Sequence, residues 1–185
     1  MKKFLLHVCC PTCSTGTIAQ LNDKFDLTCY FYNPNIHPEE EYNARLADTE
    51  KYCNKMDIKL IEGPYDKDAW FTAIKGLENE PEGGLRCPKC FYMRLANVVE
   101  YAAKNKFEIF GTTLTIGRNK KAEIINPIGV LLAKKYNIEF YEADFKKKGG
   151  QQKADEISKH EHLYRQNYCG CIFSKRESEA KRKNI

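Results

Sequence analysis

No stretch of this chain is apolar for long enough to cross a bilayer, which takes about 20 consecutive apolar residues. At the start, Met1-Lys2-Lys3 is followed by apolar residues only from Phe4 to Leu6 before His7 intervenes. That run is too short for the core of a secretory signal, roughly 7–15 residues. A cytoplasmic chain with no membrane association is the expectation. Internal repeats and low-complexity tracts are also absent, which argues against a repeat array. Cysteine is too sparse for a disulfide scaffold: nine in 185 residues, against roughly 8–10% in such proteins. The number is odd, so at least one thiol stands outside any complete pairing.

What is present reads as one globular domain over residues 1–185. Hydrophobic residues make up 42% and charged residues 30%, a balance that supports a packed core. The net charge of +5 gathers in basic clusters at Arg118–Lys121, Lys146–Lys148 and Lys175–Lys183. Such an excess suits an RNA or phosphate partner; a solvated face accounts for it equally well.

Lys3–Val8 predicts a buried strand that stops at the first cysteines. Spacing through Ile18 and Leu21 predicts a helix over Ser14–Lys24, with Ser14 or Thr15 as its cap. A second strand, Leu27–Tyr32, runs into the turn Asn33-Pro34-Asn35-Ile36-His37-Pro38. The next helix opens on Glu39, Glu40 and Glu41, the sign that suits a helix N-terminus, and extends to about Met56. Lys59–Glu62 reads as a third strand and Asp66–Gly76 as a helix. After a polar loop from Glu78 to Arg86, a long helix starts near Cys87 and shows Leu95, Val98, Val99 and Ala102 on one face. Glu108–Leu114 predicts strand four, Lys120–Tyr136 a helix that Pro127 should kink or restart, and Ile138–Ala143 strand five. Strands alternating with helices imply a three-layer α/β/α fold around a mostly parallel five-stranded sheet. Residues 1–145 form its core, and 146–185 form a basic helical segment. The segments after strands one, two, four and five share one rim, where such folds hold ligands.

The thiols fall into Cys9/Cys10/Cys13, Cys87/Cys90 and Cys169/Cys171, with Cys29 and Cys53 isolated in a strand and a helix as ordinary buried residues. Cys10-Pro-Thr-Cys13 and Cys87-Pro-Lys-Cys90 each aim two sulfurs from a turn entering a helix, where thiolates are favoured. Two C-x-x-C pairs, a C-x-C and a C-C doublet together point to metal. Seven donors exceed the four of a structural zinc, and sulfur-rich ligation suits an iron–sulfur cluster. A thiol–disulfide oxidoreductase and a zinc-stabilised RNA-binding module stay open as other readings.

Six segments then occur in one order: His7-Val8-Cys9-Cys10-Pro11-Thr12-Cys13-Ser14; Asn33 to Pro38 with Glu41, Tyr42 and Arg45; Arg86-Cys87-Pro88-Lys89-Cys90 with Arg94 and Leu95; Thr112-Thr113-Leu114; Asp144-Phe145-Lys146; and Tyr164-Arg165-Gln166-Asn167-Tyr168-Cys169-Gly170-Cys171. From about Leu6 to Ser174 the chain resembles the QueH family of epoxyqueuosine reductases. The resemblance implies reduction of epoxyqueuosine to queuosine at the wobble position of tRNA, without cobalamin, by iron–sulfur chemistry. It implies a fold of the ATP-pyrophosphatase (HUP-like) type and, as partners, the modified tRNA and an unidentified electron donor. The family usually has Ala where Pro11 stands, and a Ser-Pro step where this chain has Gly117-Arg118. No S-G-G-x-D-S phosphate loop follows strand one; cysteines take its place.

On that reading Cys9, Cys10, Cys87 and Cys90 would hold a [4Fe–4S] cluster, and Cys13, Cys169 and Cys171 would serve a second, mononuclear iron. Adjacent strand residues point oppositely, so Cys9 and Cys10 serve one cluster only if the strand has already turned. Asp144 and Cys13 are the candidate catalytic residues, Asp144 as proton donor or oxygen ligand; a partner for Lys146–Lys148 is its other reading. His7 reads as a packed residue beside the ligands, and Arg86 and Arg94 as counter-charges to thiolate. Tyr42, Arg45, Arg118, Lys120, Tyr164, Arg165 and Gln166 are the candidate substrate and tRNA contacts.

Overall fold

The computed structural model of the chain describes residues 1–117, 119–147 and 149–183. Five parallel strands form one sheet in the order β3-β2-β1-β4-β5. They are β1 (Lys3–His7), β2 (Asp26–Phe31), β3 (Lys59–Glu62), β4 (Ile109–Thr112) and β5 (Glu139–Phe140). The three central strands are buried almost end to end, whereas β3 and β5 at the edges are only partly covered. Near-continuous apolar runs are what a parallel sheet covered on both faces requires. The helices are α1 (Pro11–Leu21), α2 (Glu39–Lys55), α3 (Lys67–Ala73), α4 (Arg86–Lys104), α5 (Ala122–Tyr136), α6 (Gly150–His160) and α7 (Ile172–Lys183). None is long and apolar enough to cross a membrane among the described residues.

The strand order reverses between β1 and β4, so the crevice for a ligand opens past their carboxyl ends. Leu6 pairs with Cys29 on one side and Gly111 on the other. Past these pairs lie Cys9 and Cys10 after β1, and a single 3-10 turn (Thr113–Ile116) after β4. The expected strand Glu108–Leu114 therefore stops early: the Thr112 hydroxyl accepts from the Leu114 amide at 3.1 Å and turns the chain.

Two other expectations shift for local reasons. The first helix starts at Pro11, not near Ser14, and its cap is Cys10, whose sulfur accepts from the Cys13 amide at 3.2 Å. Proline at the first helical position loses no hydrogen bond, and a sulfur does there what a hydroxyl usually does. α5 runs through Pro127 as one helix with no restart; Pro127 sits close enough to its start to interrupt little of the ladder. The last strand pairs only over two residues, although Tyr141 adds one more amide bond to Phe110 O at 2.8 Å.

α6 is bound into the core rather than appended to it. Gly16 of α1 permits the approach: a β-carbon there would lie 3.0 Å from Ala154 Cβ and 3.1 Å from Gly150 O. The Thr15 hydroxyl also donates to Ala154 O at 3.2 Å.

Helices α2, α4, α5 and α6 end alike, and none of them uses glycine. Asp57, Lys106, Asn137 and His162 adopt φ of 54°, 58°, 51° and 52°. The next amide in each case reaches the carbonyl five residues back: Ile58 to Cys53, Phe107 to Ala102, Ile138 to Ala133 and Leu163 to Ser158, at 2.9–3.1 Å. Those four apolar residues then pack on the core, the usual companion of this cap. The left-handed conformation costs a residue with a β-carbon about 1–2 kcal/mol, and glycine gives back about 0.5–1 kcal/mol in unfolded-state entropy. Lys106→Gly is therefore expected to raise stability by about 0.5–1 kcal/mol in urea unfolding, with no gain from Lys106→Ala.

Candidate functional site

Three helices begin at the same rim, and each carries thiols in or just before its first turns. At α1, β1 has already ended at His7, so Cys9 and Cys10 are free of strand alternation and point together. The sulfurs of Cys9, Cys10 and Cys13, all buried, lie within 4.8 Å of one another. Those of Cys10 and Cys13 are joined as a disulfide across a Cα separation of 5.4 Å. At α4, Cys87 and Cys90 occupy the first two turns, and Cys87 accepts from the Gly83 amide at 3.2 Å. At α7, Cys171 stands just before the helix and accepts from the Ser174 amide at 3.4 Å. At each of these places a backbone amide at or near the helix start donates to sulfur.

Cys9, Cys10 and Cys13 stand together after β1. Two sulfurs three residues apart in one first turn are held together by that turn, which joins Cys13 to Cys10. Cys87, Cys90, Cys169 and Cys171 form the neighbouring set: Cys87 is pushed up by burial and by Cys90 and Cys171. Burial raises Cys169 to about 12, with Cys171 adding to the effect and Lys120 opposing it. The sets meet at a pocket of about 380 Å³ whose lining includes Cys13, Cys169, Lys120, Glu82, Arg165 and Gln166. Cys29 and Cys53 are fully buried away from this rim, in β2 and α2.

Positive charge is buried around the triad. Lys120, expected to face tRNA, is almost fully buried, and its Nζ lies 3.8 Å from Cys9 Sγ. Burial alone would raise Cys9; Lys120, Arg94 and Arg45 outweigh it and hold the thiol below its ordinary value. Arg94 lies inside the molecule, donating to Asn33 Oδ1, and Asn33 in turn donates to Val8 O at 3.0 Å. Its Nε has no hydrogen-bond partner, and it pairs with no carboxylate among the described residues. His7 bridges Thr112 Oγ1 at 2.9 Å and Tyr32 O at 3.1 Å. Burial, aided by Arg94, drives its pKa well down, so it stays neutral and packed.

The second expected cation, Arg86, is also interior. It donates to the carbonyls of Leu77, Glu78 and Glu80, and lies 3.6 Å from Glu177. The Glu177 carboxylate accepts the Glu82 amide at 3.0 Å. Arg86 thus shapes the 77–84 loop and presents Glu82 to the pocket, where Asn119 Nδ2 donates to Glu82 Oε1 at 3.2 Å. Sequence reading missed Glu82 because nothing local separates it from Glu78 and Glu80.

Several expected RNA contacts turn out to build the site. Tyr42 is buried, donates to Glu62 at 2.8 Å and stacks on Tyr65 with centroids 3.9 Å apart. Arg45 is buried, pairs with Glu41 at 2.8 Å, and donates to Tyr168 O and Cys169 O at 3.1 Å. Gly170 must be glycine beside it: its φ is +130°, and a β-carbon would lie 3.1 Å from Arg45 Nη1. The turn after β2 completes the dock, with the His37 amide donating to Gly170 O at 2.8 Å. Gln166 Nε2 lies 2.9 Å from Cys10 Sγ. Tyr164 and Arg165 remain at the surface, on Glu41 and Asp155 respectively. Arg118 lies outside the described residues. Asp144 accepts from the Lys146 amide at 3.3 Å, faces Lys147 at 3.8 Å, and lines a separate pocket with Lys121 and Asn126. It is a lysine partner and is not brought to the thiols.

Residues 4–177 match the family model described as Epoxyqueuosine reductase QueH. The epoxyqueuosine reductase QueH of Acinetobacter baylyi is 42% identical over 179 residues, spanning 95% of this chain and 82% of that protein. Its counterpart in Thermotoga maritima is 35% identical over 188 residues, spanning 100% of this chain and 96% of that one. A solved structure described as a predicted subunit of tRNA methyltransferase from Methanocaldococcus jannaschii aligns with a TM-score of 0.56 at 14% identity, over 83% of this chain and 75% of that one. That likeness is one of fold. With cysteines at the starts of three helices and a match over nearly its whole length, the chain belongs to the epoxyqueuosine reductase QueH family.

Proposed function

We propose that this chain reduces the epoxide of epoxyqueuosine in tRNA to the alkene of queuosine, in the cytoplasm, with electrons passing through an iron–sulfur centre held by its clustered cysteines. The reaction takes up two electrons and two protons and releases the epoxide oxygen as water. The observation that carries the reading is the buried triad of Cys9, Cys10 and Cys13 beside Lys120, with Cys13 and Cys169 lining one pocket and Cys87, Cys90 and Cys171 close to Cys169.

The residues fit such a centre on charge as well as on softness. A buried cation left unpaired is costly, several kcal/mol, and Arg94 has no carboxylate partner among the described residues. Thiolates carrying iron supply the negative charge that Arg94 and Lys120 are placed to balance. A bound iron–sulfur cluster would deliver electrons singly, and the thiols beyond its four ligands leave room for a second, mononuclear iron.

The remaining work falls to side chains of the chain. A pocket of about 380 Å³ is the size that takes a single nucleoside, and an anticodon loop can present one base without melting a duplex. Arg165 and Tyr164, at the rim, are placed to meet the RNA strand, as are the basic residues of α7; such binding weakens steeply with salt. Glu82, held by Arg86 and Glu177 through its loop, is the carboxylate that can carry a proton to the leaving oxygen on Oε1 or Oε2. It takes the role first given to Asp144. A thiol–disulfide reading has the Cys10–Cys13 contact in its favour, and leaves the other five clustered cysteines without a task.

Anaerobic purification with iron and sulfide analysis is the direct test: brown protein with roughly four or more irons per chain is expected, and a colourless zinc protein would sink the reading. Arg94→Met and Lys120→Met are each expected to weaken iron retention about 10–100-fold, read from the iron left after a graded chelator challenge. Glu82→Gln should slow single-turnover conversion of epoxyqueuosine tRNA by about 10²–10⁴-fold at unchanged iron content. Asp144→Asn should stay near wild type in the same assay; the reverse ranking would restore Asp144.

A further inference from the structure

Among the described residues, Gln166 is the one side chain of the C-terminal segment with a hydrogen bond to the sulfur triad, and its amide is oriented from both sides. Thr12 Oγ1 donates to Gln166 Oε1 at 3.0 Å, so the NH₂ end faces the sulfurs. Nε2 then lies 2.9 Å from Cys10 Sγ and 3.7 Å from Cys13 Sγ. A sulfur without a proton, whether thiolate or half of the Cys10–Cys13 disulfide, only accepts, so this is the one sense in which the amide satisfies all three neighbours. The backbone around it is pinned on either side: Arg165 binds Asp155 at 2.9 Å, and the carbonyls of Tyr168 and Cys169 bind Arg45. Thr12 also approaches Cys10 Sγ at 3.6 Å. The amide is therefore largely committed before any substrate arrives.

From this geometry we infer that Gln166 is a positioning residue that tunes the reducing power of the centre, through an N–H···S hydrogen bond to Cys10, and is not an RNA-reading residue. The inference rests on the iron–sulfur reading above. A hydrogen bond to a ligand sulfur draws charge from it and favours the more electron-rich, reduced state; hydrogen bonds to the sulfurs are among the determinants of cluster potential. Removing the donor should make the centre harder to reduce. Thr12 acts one step further out by holding the amide in the donating sense, so its loss should move the potential the same way by less.

The test compares wild type, Gln166→Leu and Thr12→Val after anaerobic reconstitution. Each is read by redox titration of the visible or electron-paramagnetic signal, by iron content, and by affinity for unmodified tRNA. The expected result is a shift of midpoint potential to more negative values in Gln166→Leu and a smaller one in Thr12→Val, with iron content and tRNA affinity at wild-type levels. An unmoved potential with weakened tRNA binding would overturn the inference and return Gln166 to the RNA. Loss of iron in Gln166→Leu with an unmoved potential in Thr12→Val would overturn it too, leaving Gln166 a structural clasp. A wild-type protein that takes up no cluster would instead remove the iron–sulfur reading itself, an outcome separate from either.

Discussion

Buried positive charge is the constraint on which the rest of this structure turns. Arg94 and Lys120 sit inside the protein beside sulfur rather than beside carboxylate. Such charges are tolerable only where something anionic faces them. Three helix N-termini aimed at the same place add to the positive field. The strongest local demand of the fold is thus for thiolate, and everything that positions Cys9, Cys10 and Cys13 follows from it. His7 adds no further cation, because burial and Arg94 keep it neutral.

The other interior arginines do a different job, and do it with the same chemistry. A guanidinium presents several donors in a fixed fork, and each of these two spends them on backbone carbonyls of a segment without regular structure. Arg45 holds Tyr168 and Cys169, so that Cys171 arrives at the start of α7. Arg86 holds the 77–84 loop, so that Glu82 faces the pocket. Loops at a site are precise only when something rigid grips their backbone, and α2 and α4 supply the grip. The turn Asn33–Pro38, which reads as punctuation between strand and helix, completes that arrangement by receiving Gly170.

The contrast between what sequence shows and what it hides is sharpest at individual residues. Leu95, Val98, Val99 and Ala102 were legible as one helix face because burial on a helix repeats with the helical period, and all are buried in α4. The start of α1 was misplaced because Cys10 caps it, and cysteine is not among the residues that announce a helix start. The ends of α2 and α5, by contrast, fall where the sequence puts them, at about Met56 and at Tyr136, although Asp57 and Asn137 take the left-handed position that glycine would have marked. Tyr42 and Arg45 resemble surface contacts in a basic, aromatic sequence, and only their partners Glu62, Glu41 and Cys169 reveal them as interior supports.

By itself the sequence determined the alternation that makes a parallel sheet, the placing of thiols past strand ends, and the family, because these depend on residue type and on spacing along the chain. Tertiary structure alone decided which thiols stand together, that Lys120 reaches Cys9, that Glu82 and not Asp144 faces the pocket, and that Gln166 meets Cys10. The last of these and the Lys120–Cys9 approach join side chains 156 and 111 residues apart, and Glu82 is a choice among similar neighbours. Local spacing carries no record of such meetings, since the sheet order and the packing of α6 and α7 bring them about.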